Sequence, residues 1–507
     1  MNQKEQTLKS IISHSKEYGF VFPSSEIYDG LAAFYDYGPF GVELKNNIKK
    51  YWWESMVQFR LDVVGLDSAI FMHPKTWKAS GHIDAFNDPL IDNKDSKKRY
   101  RADDLVESYI QKLHQKIEKE IKKGAKRFGA DFDENKFSKT SPRIQKYFKE
   151  IEDVSSKLNN FLETEDFKKL KALIESLNIV CPVSGTSNWT DVRQFNLMFG
   201  TKVGSVSEEA TDLFLRPETA QGIFVNFLNV QKTARMKIPF GIAQVGKAFR
   251  NEIVARQFIF RMREFEQMEM QFFVTPGEEM KWFEYWKKER LNWYKSLGIS
   301  DANLQYHDHE KLAHYANAAT DIEFKFPFGF KEIEGIHSRT DFDLSSHSKE
   351  TNKKIQYFDP KINQNYTPYV VETSIGLDRM FLAVLCESYK DEGEEKDKRV
   401  YLKIPPILSP FKVAILPLVK KDNLPEKAKQ IYNLLKIHFS CYYEEKDSIG
   451  KRYRRQDAIG TPFCITIDHE TLHNNTVTFR DRDTMIQERL EVSDLKSILI
   501  NKIFSNS

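Results

Sequence analysis

Two neighbouring stretches constrain this chain more than any other: Phe240 to Glu252, FGIAQVGKAFRNE, and Phe258 to Phe273, FIFRMREFEQMEMQFF. Read at a two-residue period, the first sets Ala243, Val245, Lys247 and Phe249 on one side and Gln244, Gly246, Arg250 and Glu252 on the other. The second sets Arg261, Arg263, Phe265, Gln267, Glu269 and Gln271 on a single face. A connecting loop of about five residues makes the pair a hairpin. Ion pairs on the wet face of a half-buried sheet are ordinary. Phe265 is not, because an aromatic ring gains nothing among charges in water. Arginines suit phosphate, a ring suits a base and carboxylates suit an amine, so this face is built for a nucleotide.

The rest of the chain leaves room for that reading. At 507 residues it holds about three domains. With 40% hydrophobic, 29% charged and 13% aromatic residues it has the burial capacity of a soluble globular protein. Against 73 Asp+Glu, 76 Lys+Arg give a formal charge of only +3, so nucleic-acid binding must come from local patches. No apolar run approaches the roughly eighteen residues of a membrane span, and the first twenty residues carry no compact apolar run with a cleavage site, so a cytoplasmic location and no membrane contact are expected. Cys181, Cys386, Cys441 and Cys464 lie far apart with no CxxC pair, which argues against a disulfide framework and a four-thiolate zinc site. No HExxH, GxSxG or Walker-type loop occurs.

Periodicity orders the remainder. A helix starts at Pro39 with Leu44, Ile48, Trp52 and Met56 on one face, and a strand runs from Asp62 to Met72. Leu105, Tyr109, Leu113, Ile117 and Ile121 mark an amphipathic helix, and charged helical sequence continues to Leu177. Its lysines are better explained by a solvated face with i,i+4 pairs than by contact with nucleic acid. Ser388 to Lys398, SYKDEGEEKDK, is expected to be a surface loop. After Pro406, strands near 411–416, 464–467 and 476–480 with a helix near 427–438 imply a small α/β domain.

Two further pieces carry chemistry. In Tyr369 to Leu385, YVVETSIGLDRMFLAVL, a strand gives way at Gly376 to a helix with Arg379 in its first turn, beside unpaired N–H groups that favour anions. In Leu213 to Phe227, LFLRPETAQGIFVNF, a strand turns at Arg216-Pro217 into a helix with Ile223, Phe224 and Phe227 inward, and Glu218 has an ordinary explanation as an acid at a helix start.

Together these pieces resemble the active-site motifs of class II aminoacyl-tRNA synthetases, specifically the dimeric glycyl-tRNA synthetases. FRNE (249–252) with RMREFEQME is similar to motif 2, ETSIGLDR (372–379) to motif 3, and YGPFGVELKNNI with the strand to Pro74 to motif 1. ASGH (79–82), RYRADDL (99–105), FNLMFGT (195–201), LRPETAQG (215–222) and EIEGIHSRTDFDL (332–344) resemble blocks of that family. The likeness spans essentially the whole chain and is weakest over 107–179. Where family members often carry cysteines in a metal knuckle, this chain has DNKDS at 92–96, which implies that any metal there is lost.

The resemblance implies an α+β fold, an antiparallel-sheet catalytic domain followed by a C-terminal α/β anticodon-binding domain. The corresponding division is 1–106 with motif 1, a lysine-rich helical insertion at 107–179, the core with motifs 2 and 3 at 180–405, and the anticodon-binding domain at 406–507. It implies a homodimer acting on ATP, Mg²⁺, glycine and tRNA(Gly), with Arg250, Glu252 and Arg379 as catalytic residues. ATP would lie bent over Arg250, Asn251, Glu252, Phe260, Arg261, Met262, Arg263, Glu264, Phe265, Glu332, Ile333, Gly376, Leu377, Asp378 and Arg379. Adenine would be sandwiched by Phe265 and Arg379. Glycine would lie among Arg101, Glu218, Phe265, Glu266, Gln267, Met268, Glu269, Glu372, Thr373, Ser374, Ile375 and Gly376, with Glu332 and Glu372 as metal ligands. Arg452, Tyr453 and Arg455, in the basic segment 450–457, would meet the anticodon. The alternatives are a non-catalytic nucleic-acid-binding paralogue, which would be expected to lose the phosphate arginines, and a class II synthetase for another amino acid.

Overall fold

The structure, a computed structural model, describes residues 3–129, 132–204, 211–253, 257–309, 312, 316–393 and 399–504. The chain forms two compact units, one of residues 1–80, 199–250 and 256–507, the other of 81–198 and 251–255.

The first unit is organised by a seven-stranded sheet whose order is 304–308, 318–326, 329–340, 369–376, 264–274, 240–249 and 63–65. All neighbours are antiparallel except the edge strand Val63–Gly65, which runs parallel to Phe240–Phe249. One face of the sheet is apolar. Met268, Met270, Phe272, Ile336, Val371 and Ile375 are buried there against helices Pro39–Trp53, Glu279–Ser296 and Leu377–Ser388. Leu44, Ile48 and Trp52 are fully buried as their spacing predicts, and Met56 follows on a π-helical turn, Glu54–Gln58. Helix Ala220–Thr233 covers one end of the opposite face with Ile223, Phe224 and Phe227.

Several sequence expectations are corrected. The strand expected over 62–72 is reduced to Val63–Gly65 and a single bridge of Phe71 to Leu215, because Ser68 leaves the ladder to bond the Gln244 side chain through its N–H and hydroxyl at 3.1 and 2.9 Å. The second hairpin strand starts at Glu264, not Phe258, since Phe258–Phe260 form a 3₁₀ turn with Gln257 and Phe258 at positive φ. The hairpin loop therefore spans 250–263, longer than expected. The stretch expected as a loop after Ser388 is a hairpin, Tyr389–Glu392 with Arg399–Leu402; residues 394–398 lie outside the described residues.

The C-terminal part of this unit is the expected α/β domain: a sheet of order 441–443, 413–417, 463–467, 476–481 and 487–491, parallel in its first half and antiparallel in its second. Its core of Val413, Ile415, Leu435, Ile465 and Leu499 is separate from that of the large sheet.

The second unit holds a three-stranded sheet, 98–101, 87–93 and 193–196, with helices Ala102–Phe128, Glu134–Thr140, Pro142–Glu163 and Phe167–Ser176. At the DNKDS stretch, Cys181 Sγ lies 3.3 Å from the Ser96 hydroxyl and 3.2 Å from that of Tyr100, so hydrogen bonds hold this turn.

Candidate active site

The register of the large sheet builds the site. Residues paired across antiparallel strands share a face, and three rows cross the face away from the helices. One contains Gln244, Glu269, Ser374, Gly335 and Asp321; the next Ile242, Gln271, Glu372, His337 and Ala319; the third Gly246, Gln267 and Gly376. Phe265, opposite Ala248, continues this face. Gly335 is required where it stands, since a Cβ there would come within 2.9 Å of the His337 ring.

A buried hydrogen-bond network joins the carboxylates of this face. The Gln271 amide donates to Glu269 and Glu372, both at 2.8 Å. Thr219 donates its hydroxyl to Glu269. Glu372 also lies 2.8 Å from His337 Nδ1 and accepts from Arg339 Nη1 at 3.1 Å, while Arg339 clasps Asp343 at 2.8 and 3.0 Å. Gln221 donates to Glu218 and Asp343, each at 3.0 Å. Gln267 bonds the Ser374 hydroxyl at 3.3 Å and accepts from Thr219 N at 3.1 Å. Four carboxylates, Glu218, Glu269, Asp343 and Glu372, thus surround one guanidinium and one imidazole, an excess of negative charge in a site where Glu269 is 1% exposed.

Burial, followed by the charges of Glu372 and Glu218, pushes the Glu269 carboxyl well above the usual range. Burial acts the same way on Glu372, but the Arg339 charge and the bonds from His337 and Gln271 outweigh it and hold that group low. His337 moves up, because its bond to Glu372 and that charge overcome burial. The two glutamates are driven apart, one inclined to keep a proton and one to stay ionised.

Two arginines stand over two rings at the other end of the face. Arg379 lies in the first turn of helix Leu377–Ser388, its guanidinium 4.5 Å from the Phe260 ring centre and 2.9 Å from the Glu332 carboxylate. Arg250 lies 5.3 Å from the Phe265 ring centre and donates to the Pro217 carbonyl at 3.0 Å. Phe265 and Arg379, the two residues expected to sandwich adenine, thus each hold a partner of their own, Arg250 and Phe260. Arg379 beside Glu332 holds that carboxyl below its usual range.

Other expected site residues are placed elsewhere by the pleat. Met268, Thr373 and Ile375 point into the core, and Glu266 and Asp378 into a charged cluster behind the sheet. Ile333 and Leu377 are core residues. Met262 is buried, Glu264 pairs with Lys247 at 2.6 Å, Arg261 is half-buried and Arg263 donates to the Ala32 carbonyl at 3.2 Å, all at or before the start of the strand. Arg101, Asn251 and Glu252 belong to the second unit, where Arg101 lies 2.9 Å from Asp88 and 2.6 Å from Asp103. There burial, with the charges of Glu252 and its acidic neighbours, raises Asp88 to about 6 despite Arg101.

Glu332 and Glu372, the two expected metal ligands, stand apart. The register sets Glu372 opposite His337, five positions along the strand from Glu332, roughly 16 Å at about 3.3 Å per residue, and three donors already fill Glu372. Among the described residues no group of three or more His, Cys, Asp or Glu side chains could hold a metal.

The residues expected to meet the anticodon lie in the C-terminal domain. Their segment is a helix, Ile449–Ile459. Arg452 is 1% exposed and donates to the carbonyls of Pro417, Leu418 and Glu444. Tyr453 bonds Thr466, and Arg455 pairs with Glu444 at 2.6 Å and Asp447 at 2.9 Å. On that helix Lys451 and Arg454 are exposed.

Sequence reasoning missed Thr219, Gln221, His337, Arg339 and Asp343 as members of the site. Two-residue alternation through EIEGIHSRT would have set Gly335, His337 and Arg339 on one face.

An antiparallel sheet with a carboxylate-lined face at one end and two arginines at the other is the catalytic core of a class II aminoacyl-tRNA synthetase, and residues 200–389 match the tRNA synthetase class II core domain (G, H, P, S and T). Residues 88–197 match the glycyl-tRNA synthetase insertion domain 1, and residues 412–502 the anticodon binding domain. Over 500 residues the chain is 50% identical to the glycine–tRNA ligase of Staphylococcus haemolyticus, covering 98% of this chain and 99% of that protein. It is 50% identical to that of Chlorobaculum tepidum over 500 residues (98% and 100%) and to that of Macrococcus caseolyticus over 502 residues (98% and 99%). The chain belongs to the glycyl-tRNA synthetase family.

Proposed function

We propose that this site joins glycine to ATP as glycyl-adenylate, then passes the glycyl group to the 3′-terminal hydroxyl of tRNA(Gly). The observation that carries the reading is the buried acidic pocket over Gly335 and Ser374, where Glu218, Glu269 and Glu372 suit an ammonium group. Glycine offers no side chain to read, so selection rests on pairing its ammonium while refusing a methyl group.

In the first step a glycine carboxylate oxygen bonds to the α-phosphorus as the bond to the β-phosphate oxygen breaks, and the charge leaves on pyrophosphate. Arg250 neutralises the α-phosphate and Arg379 the terminal phosphate, with Phe260 and Phe265 as aromatic surfaces for the nucleotide. In the second step the tRNA hydroxyl attacks the glycyl carbonyl and AMP leaves. Neither step needs a covalent bond to the enzyme, so rate comes from alignment and charge neutralisation. Mg²⁺ arriving with ATP would screen the phosphates, with Glu332 the carboxylate placed to meet it.

The domain at 406–507 is the part that meets the anticodon. The enzyme acts in the cytoplasm as a homodimer; among the described residues no helix is long and apolar enough to cross a membrane. Support for the dimer comes from Phe59 at 78% and Leu61 at 101% exposure, beside the motif 1 helix.

ATP–pyrophosphate exchange with each of the twenty amino acids in turn tests the reading. Exchange is expected with glycine and at least about a hundredfold less with alanine. Equal or greater exchange with any other amino acid would overturn it.

A further inference from the structure

Behind the sheet, on the face turned from the pocket, a buried cluster joins three segments of the catalytic core. Lys45, on helix Pro39–Trp53, is 5% exposed, with Nζ 2.7 Å from Glu266 Oε2 and 3.0 Å from Asp378 Oδ1. Tyr37 donates its hydroxyl to the same Asp378 oxygen, and its ring centre lies 4.0 Å from Lys45 Nζ. Asp378 Oδ2 accepts the backbone N–H of Glu266 at 2.8 Å, and Lys49 reaches Glu266 at 3.4 Å.

Position separates this cluster from an ordinary core ion pair. Gln267 opposite Gly376 is the last pair of its ladder, and beyond it strand Tyr369–Gly376 turns into the helix that carries Arg379. The Asp378 carboxylate takes the next N–H along, that of Glu266, so one side chain fastens the first turn of the helix to the strand bearing Phe265 and Gln267. Adjacent helical residues diverge by about 100° and adjacent strand residues by about 180°, so Asp378 and Glu266 turn to the back while Arg379 and Phe265 serve the front. Two carboxylates this deep need a counter-charge to hold them in place, and Lys45 bridges both. The carboxylate network of the pocket is held by Thr219, Gln271, His337 and Arg339, none of which belongs to this cluster.

We propose that Lys45, Asp378 and Glu266 are positioning residues for the nucleotide half of the site: they set Arg379 against the Phe265 strand, and so govern the use of ATP and not of glycine. This rests on the reading of Arg379 as a phosphate ligand.

The test measures ATP–pyrophosphate exchange by the full-length protein with Asp378→Asn and Lys45→Met, taking KM for ATP and for glycine separately. Asparagine keeps an oxygen for the Glu266 N–H but loses the charge that Lys45 binds. KM for ATP is expected to rise about tenfold or more while KM for glycine stays within about twofold, because a small misplacement of an aligning group is costly to the reaction it aligns. A cluster that served stability alone would lower Tm and leave both KM values in place, and that result overturns the proposal. Tyr37→Phe removes one hydroxyl and leaves its ring, and covers the case in which Lys45→Met does not fold. It should raise KM for ATP severalfold, and an unchanged value there also overturns the proposal. Arg379→Ala separates the two readings. If Arg379→Ala uses ATP as wild type does, the phosphate reading falls; if it fails while the cluster variants use ATP normally, the positioning proposal alone falls.

Discussion

Glu269 is the residue at which burial and function pull against each other. Enclosed and flanked by Glu372 and Glu218, it keeps its proton at pH values where an exposed glutamate, near about 4.3, is already ionised. An ammonium placed beside it reverses the balance and favours the ionised form. Below the raised value, then, binding must expel a proton, and glycine affinity should climb as pH rises from that of an ordinary carboxylate until Glu269 ionises in the free enzyme. Glu372, held low, contributes no slope over the same range. KM for glycine measured from about pH 5 to pH 8 should fall with increasing pH, and Glu269→Gln should flatten the curve while raising KM throughout. A flat wild-type profile would show that Glu269 does not meet the ammonium. Much of this was legible in the sequence: alternation alone sets Phe265, Gln267, Glu269 and Gln271 on one face. Alternation would also set Arg339 beside His337, but its bond to Glu372 depends on which strand lies beside which, and Asp343 reaches Arg339 from helix Phe342–Thr351; no local period carries either contact.

Elements show a similar division between what a period can and cannot say. The helix from Pro39 and the strand-to-helix turn at Gly376 follow from apolar spacing and form as expected. Strand ends do not follow, because they are set by tertiary partners: Gln244 draws Ser68 out of the ladder, and the 3₁₀ turn at Phe258–Phe260 ends an alternation that the residues themselves would continue. Helix Ile449–Ile459 is the sharpest instance, since KRYRR has the composition of an exposed basic loop. Yet Arg452 is folded inward to cap three carbonyls next to strand Val413–Pro417. Its replacement by alanine leaves those carbonyls unpaired in a buried space and should destabilise the protein by about 2 to 4 kcal/mol. Arg454→Ala, on the exposed side, should cost no more than about 0.5 kcal/mol. Urea unfolding distinguishes the two, and equal midpoints would show that Arg452 is not the structural member of the helix.

At the scale of the whole molecule, fold class was legible through the motifs that resemble class II synthetases; periodicity alone reached only one hairpin and a C-terminal α/β domain. The N-terminal helix Gln3–Glu17 was not foreseen; its apolar stripe is thin, and one of its anchors is polar, His14 Nε2 at 2.8 Å from the carbonyl of Ala458, more than four hundred residues away in sequence. Surface chemistry is what remains to be explained. Leu61 at 101% and Phe59 at 78% exposure hold two large apolar side chains in water two residues apart, directly after the motif 1 helix and its π-helical turn. Covering a leucine contributes about 1.5 to 3 kcal/mol, so a second copy that buried this segment on both sides would gain each term twice. In sedimentation equilibrium at micromolar concentration the unaltered protein should therefore behave as a dimer and Leu61→Glu as a monomer, with the far-UV circular dichroism of each chain retained. Because Val63–Gly65 pairs with Phe240–Phe249, the strand that leads to Arg250, the monomer should also lose exchange activity as that edge loosens. A variant that remained dimeric would place the subunit interface elsewhere, and a fully active monomer would show that the edge strand holds Arg250 without help from a second chain.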